Sequence, residues 1–431
     1  MSTATAPPSL LLPGAVRSES PPWFQELQAA AWAEFKSLPL PARTDETWRY
    51  SSLKALSLDG YSTASETSAD VRDLVAERAL RRRAGRMVFV NDRLTAIDDP
   101  DPSLKDRGVV FTSLEEALGT HGELLRKHFM SQPARLGSQK FAALHRALVR
   151  AGTFLYVPQG VELPQPFEVF HFVDGENASV FPHTLVIAEP LSKVALVDHF
   201  ISLDASAPGF ACGVNDLIVR DQAKLAYTSV QDWSQAFVSV QINSTLVGRD
   251  ARAMNLALNF GGRYSRLESV SRLEAEGGRS DMLAVTVAGQ DQEFDQRTHQ
   301  DHLKPNTTSD LLYKNALFDD ARTIFSGLIK VEPGAHRTDA YQKVRNLLLS
   351  ENAEANSLPG LEILADDVRC THGATSGQIE EEELFYLKSR GIPLPAAQRL
   401  IVRGFLNEVL DRLDNPELQE HLRSEVDRHL L

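Results

Sequence analysis

Short runs of apolar residues dominate the middle of the chain. From Gly152 to about Cys370 such runs, rich in Val, Ile, Leu, Phe and Thr, recur roughly every 10 to 15 residues and are separated by Gly, Asp, Asn and Pro. Examples are FEVFHFV, VALVDHFISL, DMLAVTVAG and RTIFSGLIKV. No helical period interrupts them. The pattern therefore predicts an all-β region of roughly 220 residues.

Two architectures are compatible with so many short strands. A sandwich or barrel of this length is possible, but a stacked β-helix or solenoid accommodates many short strands with little intervening structure more easily. The sequence contains no fixed hexapeptide or nonapeptide repeat, so its period alone leaves the choice open.

The N-terminal part has mixed character. Helical periods predict helices at residues 22–38 and 68–83 and a helical hairpin at 121–130 and 141–149, and strand-like segments begin at Met87 and Gly108. In the segment TDETWRYSSLKAL, Trp48 and Tyr50 are expected to anchor a loop to the domain. Residues 1–20 are expected to form a disordered leader. The helices and strand-like segments after it predict an N-terminal helical (α+β) domain over residues 21–151.

The chain becomes helical again after the β region. From Glu380 apolar residues are spaced by three and four, and a broad stripe follows from Leu394 to Leu413. Part of this stripe is expected to cover the β-core, and the rest could receive a partner. The sequence thus predicts a β domain over residues 152–375 and a helical domain over residues 376–431.

Composition narrows the function. The 431 residues carry a formal net charge of −13, which argues against binding to nucleic acid or to anionic membrane surfaces. No apolar run approaches the roughly 18 to 20 residues of a membrane span. The two cysteines, Cys212 and Cys370, provide no disulfide framework, so a reducing, cytoplasmic location is expected. Cys212 is interpreted as a small core residue.

Three common enzymatic motifs are absent from the sequence. The sequence contains no phosphate-binding loop GxxxxGK[ST], no GxSxG elbow and no GxGxxG fingerprint. Its carboxylates show no pattern that pairs two of them as general acid and base. We therefore expect a protein without catalytic activity of its own.

The strongest candidate for metal ligation is the pair Cys370 and His372. In an extended strand, positions two apart point the same way, so the thiol and the imidazole would share one face with Cα atoms roughly 6.6 to 6.8 Å apart. A soft and a borderline ligand side by side is an arrangement that a metal could use. The GAT sequence at Gly373 to Thr375 is expected to form a turn after this strand.

Other histidines have simpler interpretations. His299 and Asp301 are expected on one face of a strand and His302 on the other, and hydrogen bonding is favoured over a metal site because no third ligand is nearby in sequence. A second set of histidines, His171, His183 and His199, occupies successive strand segments and could stack within a solenoid.

Several ordered motifs resemble a known family. The segments ETWRYSSL, TSDLLYKN, TDAYQKVRNLLLS and DDVRCTHGATSGQIEEEELFYLKSRGI are similar to those of the SufB/SufD family of iron–sulfur cluster assembly proteins, with the SufD subunit the closer match. The resemblance extends over most of the chain. One departure is His336, because the family usually has Gln at this position. Whether His336 keeps the role of that Gln stays open.

The resemblance implies a specific fold and function. The fold would be a right-handed β-helix core flanked by helical ends, and the protein would work with a SufB-like scaffold subunit and a SufC-like ABC-type ATPase. In the family, the histidine of the CxHGAT motif lies at the scaffold interface and is needed for assembly, which makes His372 the principal candidate ligand and Cys370 a secondary one. The cofactor would be a transient iron–sulfur cluster at that interface.

Ligand number supports a shared site. An iron–sulfur cluster normally takes four protein ligands, mostly thiolates, and this chain has two cysteines in all. It cannot hold an all-cysteine cluster alone. For the ATPase, the helices from Glu380 to Leu413 are the expected docking site, with Phe405 and Val409 as anchors. The alternative is that the whole apolar stripe covers the β-core.

Two other functions remain open at this point. A β-helical carbohydrate-active enzyme would have the same strand-rich sequence, although such enzymes are commonly exported and this chain shows no signal peptide. A structural homodimer is the other alternative.

Overall fold

The computed structural model describes residues 20–98 and 102–430. The predicted leader lies outside these ranges except for Ser20, so it stays a prediction. The α-helices within these ranges are α1 (Pro22–Ser37), α2 (Arg72–Arg78), α3 (Pro102–Asp106), α4 (Leu114–Thr120), α5 (Gly122–His128), α6 (Gln139–Leu148), α7 (Glu381–Ser389), α8 (Leu394–Leu410) and α9 (Pro416–His429).

Strands fill the region between α6 and α7. The described strands are β1 (Ser62–Thr63), β2 (Gly85–Val90), β3 (Arg93–Asp98), β4 (Val110–Ser113), β5 (Gly152–Val157), β6 (Phe167–Val173), β7 (Ala178–Val180), β8 (His183–Ala188), β9 (Lys193–Ser202), β10 (Gly209–Val219), β11 (Lys224–Asp232), β12 (Val238–Val247), β13 (Arg252–Asn259), β14 (Tyr264–Leu273), β15 (Arg279–Ala288), β16 (Glu293–His302), β17 (Thr308–Leu317), β18 (Arg322–Val331), β19 (Asp339–Leu348), β20 (Glu354–Ile363) and β21 (Arg369–Gly377).

Successive strands alternate between two sheets. One sheet has the order β20-β18-β16-β14-β12-β10-β8-β5-β4, and the other has the order β21-β19-β17-β15-β13-β11-β9-β6-β2-β3. All pairs from β5 to β21 are parallel, which makes a β-helix of about eight turns. The prediction of a mainly β fold with a β-helix core and helical ends is confirmed. Within the described part of residues 152–375 no helix occurs, as the apolar runs predicted.

The interior of the β-helix is built from ladders of equivalent residues. Because parallel strands are in register, positions in successive turns stack on one another. Leu155, Val186 and Leu217 form one such apolar ladder and are all fully buried. Asn315 and Asn346 belong to a polar ladder, in which the Nδ2 of Asn315 donates to the Oδ1 of Asn346 at 2.8 Å. Buried amides are thus paired with each other along the axis.

The N-terminal helices cover the outer face of the first sheet. α1 packs on α6, and α6 packs on β10. The two helices predicted for the hairpin occur as α5 and α6, but the main helical neighbour of α6 is α1. The helix predicted at residues 68–83 is wrong in extent, because only α2 forms there. The backbone becomes extended at Ala79, and the N–H of Leu80 donates to the Glu168 carboxylate at 2.7 Å, which draws the chain onto the sheet.

The aromatic segment after α1 fixes the N-terminal part to β14. Trp48 is buried, its Nε1 donates to the carbonyl oxygen of Gly137 at 3.0 Å, and the Arg266 guanidinium lies 3.6 Å from the centre of its ring. Tyr50 is 42% exposed, so the expectation that it anchors the loop is wrong. The backbone at Tyr50 has a positive φ of 69°.

The C-terminal helices cover the outer face of the second sheet. α8 contacts β15 and β17 and buries Leu406, Val409 and Leu410 in a core shared with these strands. In the same core, α9 buries Leu418 and Leu422. Part of the apolar stripe therefore covers the β-core, as expected.

Candidate functional site

The last turn of the β-helix is left uncovered. β20 pairs with β18 and β21 pairs with β19, and each strand is the last member of its sheet. Most of their residues are exposed or half-buried, whereas the preceding turns are largely buried. The predicted turn at Gly373–Thr375 is wrong, because these residues continue the ladder against Lys343–Arg345. The chain thus ends its β-helix with two open strand edges.

Cys370 and His372 lie on the same face of the last strand. They pair in register with Ala340 and Gln342 of β19, which are both buried, while Tyr341 between them is 42% exposed. Since side chains alternate along a strand, Cys370 and His372 continue the inner face of the β-helix. The expectation of a common face is confirmed, and that face opens at the end of the solenoid.

The two candidate ligands differ in environment. Cys370 is half-buried against a cluster of apolar side chains that includes Ile329, Val331 and Ala335. Burial raises the pKa of the Cys370 thiol, and the negative charge of Asp339 raises it further. His372 is exposed. The thiol is therefore held protonated by its surroundings, while the imidazole is accessible from the open end.

Gln342 is a third polar group on this face. It is 2% exposed, its Nε2 donates to the carbonyl oxygen of Gly327 at 3.4 Å, and within the described ranges its Oε1 has no hydrogen-bond partner. The inner position of Gln342 was not predicted from the sequence. The available signal was its place in the motif TDAYQKVRN, two positions after Ala340 in the same strand alternation.

The described residues of this chain do not complete a metal-binding group by themselves. Among residues 20–98 and 102–430, no three His, Cys, Asp or Glu side chains are arranged to hold a metal ion. Cys370 and His372 supply two ligands on one face. Their role as ligands stays a prediction.

The other cysteine and the strand histidines have hydrogen-bonded roles. Cys212 is fully buried and its Sγ donates to the carbonyl oxygen of Phe141 at 3.2 Å, as expected of a core residue. Both ring nitrogens of His302 lie 2.8 Å from hydroxyl groups, those of Thr307 and Ser309. Asp301 pairs with Arg135 at 3.4 Å. These contacts support the hydrogen-bonded interpretation of this segment.

The three histidines of successive strands do not form one stack. The ring of His171 lies between those of Phe89 and Phe200, with centroids 5.1 Å from each. His199 stacks on Phe170 at 4.4 Å. His183 lies in the first sheet, not in the second sheet with His171 and His199, and it faces the N-terminal helices. The predicted stacking occurs with phenylalanines, because neighbouring turns place an aromatic residue at the equivalent position.

His183 is part of a buried polar chain. Its Nδ1 lies 3.1 Å from the Nε2 of His145, and its Nε2 lies 3.5 Å from the carboxylate of Asp216. Burial lowers the pKa of His145 to about 4 and raises the pKa of Asp216 to about 7. The hydrogen bond between the two imidazoles links α6 to the β-helix, and the carboxyl group of Asp216 lies next to His183 without a hydrogen bond to it.

A second exposed surface lies on the C-terminal helices. α7 has no buried residue, and it presents Phe385 and Tyr386 with 73% and 57% of their surfaces exposed. Phe405 is half-buried, and Val409 is fully buried against the β-core. The proposed anchoring role of Phe405 and Val409 stays a prediction, but the large exposed apolar side chains are the aromatic pair.

Comparison with known proteins identifies the class. The SufBD core domain of the SUF system for FeS cluster assembly matches residues 171–405, and the SufBD N-terminal region matches residues 14–169. The chain therefore belongs to the SufBD family of iron–sulfur cluster assembly proteins.

Its relatives include named SufD proteins. The iron–sulfur cluster assembly protein SufD of Bacillus subtilis strain 168 is 29% identical over 96% of this chain and 95% of its own length. SufD of Escherichia coli K12 is 29% identical over 91% of this chain and 89% of its own length. An iron–sulfur cluster assembly SufBD family protein of Mycobacterium bovis is 30% identical over 69% of this chain and 74% of its own length. These matches confirm the resemblance to the SufD subunit. No helix in the described ranges is long and apolar enough to cross a membrane.

Proposed function

We propose that this chain is a non-catalytic cytoplasmic subunit of an iron–sulfur cluster assembly complex. It pairs with a SufB-like scaffold subunit through the open end of its β-helix and with a SufC-like ATPase through its C-terminal helices. The nascent cluster is the cargo of this complex, held at the interface with the scaffold until transfer. Family membership favours this function over that of a carbohydrate-active enzyme.

One observation carries the proposal. Cys370 and His372 stand side by side on the inner face of β21, where the β-helix ends uncovered. A site at this place is accessible to a second chain and is incomplete without it. The scaffold would supply the remaining ligands, because a cluster normally takes four.

The open strand edges supply the means of pairing. The outer edges of β20 and β21 carry backbone N–H and C=O groups with no further strand in the described part of the chain. Such edges pair readily with strands of another chain, and main-chain hydrogen bonds then give the affinity. A partner strand placed there would lie next to His372.

His372 is the principal ligand in this proposal and Cys370 the secondary one. Neutral imidazole is the ligating form of histidine, and the exposed ring of His372 is accessible from the open end. The Cys370 thiol must lose its proton to ligate, and its raised pKa opposes this in the isolated chain. A nearby iron ion would lower the pKa of the Cys370 thiol and so favour the ligating thiolate.

The experiment compares His372→Ala with His336→Gln in the co-expressed complex. His336 is a second exposed histidine, on the loop before β19, and Gln is the residue the family usually has there. Iron and sulfide per complex are measured after size-exclusion chromatography has confirmed assembly. We expect loss of cluster from the His372 variant alone. Unchanged cluster content in an intact His372→Ala complex would remove His372 from the site.

Docking of the ATPase is tested separately at α7. Phe385 and Tyr386 form an exposed apolar surface beside the acidic residues Glu381–Glu383, and Phe405 and Val409 are proposed to support it from α8. Phe385→Ala with Tyr386→Ala is expected to abolish co-purification of the ATPase. Leu191→Ala, at an exposed turn of the β-helix, is the matched control. Retention of the ATPase by the double variant would count against this docking surface.

A homodimer is the remaining alternative, because the same open edges could pair with a second copy. Mass measurement of the isolated chain and of the co-expressed complex distinguishes the two. A homodimer that persists in the presence of the scaffold would contradict the proposed heterologous pairing.

A further inference from the structure

A cavity lined by arginines lies on the opposite part of the molecule from the open end, between the segment after α2, helix α3 and the loop before β6. Its volume is about 620 Å³, and Arg81, Arg82, Arg83 and Arg107 line it. Asp98 is the sole acidic side chain in its described lining. A concave basic site of this kind is unexpected on a chain with a net charge of −13.

The arginines are only partly neutralised. Asp98 pairs with Arg83 at 2.7 Å. Arg82 has its closest described carboxylate, that of Glu417, at 4.0 Å, with 73% of its own side chain exposed. In the described ranges Arg81 makes no hydrogen bond or ion pair, and Arg107 reaches only the carbonyl oxygen of Glu162, at 3.5 Å. Guanidinium groups that line one cavity and have few protein partners are suited to oxyanions, and above all to phosphate.

One wall of the cavity is apolar. Leu104 and Leu163 are buried beneath it, and Pro164 lies at its side. A volume of this size is within the range of small-molecule sites, which combine apolar walls with a few placed polar groups. The cavity therefore offers separate places for a charged group and for an organic group.

We propose that this cavity binds a phosphate-bearing small molecule. Its phosphate groups lie on Arg81, Arg82 and Arg107, and its organic part lies on the wall formed by Leu104 and Leu163. This inference is independent of the assembly function proposed above, because it uses no residue of the open end or of α7.

The test is isothermal titration calorimetry of the full chain at low ionic strength with inorganic pyrophosphate and with adenosine 5′-diphosphate. We expect both to bind, and adenosine 5′-diphosphate to bind more tightly because it can also use the apolar wall. Each of Arg81→Ala, Arg82→Ala and Arg107→Ala should weaken binding about tenfold, as expected for the loss of one charge-assisted contact. Arg249→Ala, at an exposed arginine of another loop, is the matched control and should leave binding unchanged.

Several outcomes would overturn the proposal. Absence of binding, or equal weakening by Arg249→Ala, would show that no defined site exists. Binding of pyrophosphate without preference for the nucleotide would remove the role of the apolar wall, and tighter binding of duplex DNA than of the nucleotide would indicate a different class of ligand. Residues 99–101 include two aspartates beyond the described ranges, so Asp99→Asn with Asp101→Asn is a further variant. If pyrophosphate binds only to that variant, these aspartates already neutralise the arginines and the proposal fails.

Discussion

The side-chain amino group of Lys314 donates a hydrogen bond to the carbonyl oxygen of Phe405 at 2.7 Å. The same group lies 4.3 Å from the centre of the Phe405 ring and forms an ion pair with Glu408. Lys314 projects from β17 and is 2% exposed, although burial lowers its pKa. A charged side chain of the β-helix thus holds α8, and with it α7, in a defined place.

Lys314→Met should loosen the C-terminal helices. The change removes a charge-assisted hydrogen bond to the carbonyl oxygen of Phe405 and the ion pair with Glu408, and a hydrogen bond to a charged group contributes about 1.5 to 3 kcal/mol. We expect the free energy of unfolding in urea to fall by that amount and the amides of α8 to exchange faster with solvent. Lys343→Met, at an exposed lysine of the neighbouring strand, is the control. Equal stability of the two variants would show that the Lys314 contacts do not hold the helix.

The strands could be predicted from the sequence, but the contact between Lys314 and α8 could not. Apolar runs such as TFLYVP and TIFSGLIKV predict strands because both strand faces are largely buried. The lysine of TSDLLYKN gives no such signal, because its burial depends on a helix about 90 residues further along the chain. Likewise, the burial of Val409 depends on which face of α8 meets the sheet. A wide apolar stripe does not specify that face.

Arg266→Met should be among the most destabilising single changes in the chain. Arg266 is 1% exposed, pairs with Glu268 and Asp295 and covers the ring of Trp48. Its removal leaves the buried carboxylate of Glu268 without a cationic partner and leaves Asp295 with Arg297 alone, and breaking a buried ion pair in this way costs about 3 to 5 kcal/mol. Trp48→Phe removes the hydrogen bond to Gly137 and part of the buried ring but leaves the charges paired, and should cost about 1 to 3 kcal/mol. Both values are measured by urea unfolding followed by circular dichroism. If the free energy of unfolding fell less for Arg266→Met than for Trp48→Phe, Arg266 would not be the main partner of the buried carboxylates.

Asp216→Asn tests the buried polar chain through the pH dependence of stability. Burial raises the pKa of Asp216 to about 7, although the N–H of Met130 donates to its carboxylate at 2.6 Å and opposes the shift. The folded state therefore holds this proton up to about pH 7, while the unfolded chain releases it near pH 4. Between these values the folded state binds more protons, so the Asp216 contribution to stability is present below about pH 4 and is lost as pH rises to 7.

The variant should escape this loss, because Asn has no proton to release and can still accept from Met130. We expect the free energy of unfolding of Asp216→Asn, relative to the parent chain, to increase by up to about 1.4 kcal/mol per pH unit between pH 4 and 7. Titrations that the substitution leaves unchanged cancel in the difference. A difference that stays constant from pH 4 to 8 would mean that Asp216 is ionised in the folded state.

The candidate site itself was only partly predictable. The Cys-x-His spacing fixes a common face in any strand, so the pairing of Cys370 with His372 followed from the sequence. The end of the strand could not be predicted from the sequence. Gly373 and Thr375 are typical turn residues, but here they continue an in-register ladder with β19. Gln342 was missed because a polar residue in a strand pattern is normally assigned to the solvent face. Only the register shows it on the inner face beside His372.

The last prediction concerns the reactivity of Cys370, and it separates a ligand from a structural thiol. Cys212 is fully buried and Cys370 is half-buried at the open end, so a maleimide should modify one cysteine per isolated chain. The reactive form is the thiolate, and the pKa of Cys370 is raised by burial and then by Asp339. Labelling should therefore be slow at pH 7 and accelerate up to about tenfold per pH unit through pH 9.

Addition of the scaffold subunit should protect Cys370, because the proposed pairing covers the inner face of β21. The comparison is labelling of the isolated chain, of the co-expressed complex and of Cys370→Ser, measured by intact-protein mass spectrometry. The Ser variant should take up no label, since Cys212 is enclosed between β10 and α6. Equal labelling of Cys370 in the isolated chain and in an intact complex would place the scaffold elsewhere. Protection without any loss of cluster in Cys370→Ser would make Cys370 an interface thiol and leave His372 as the ligand.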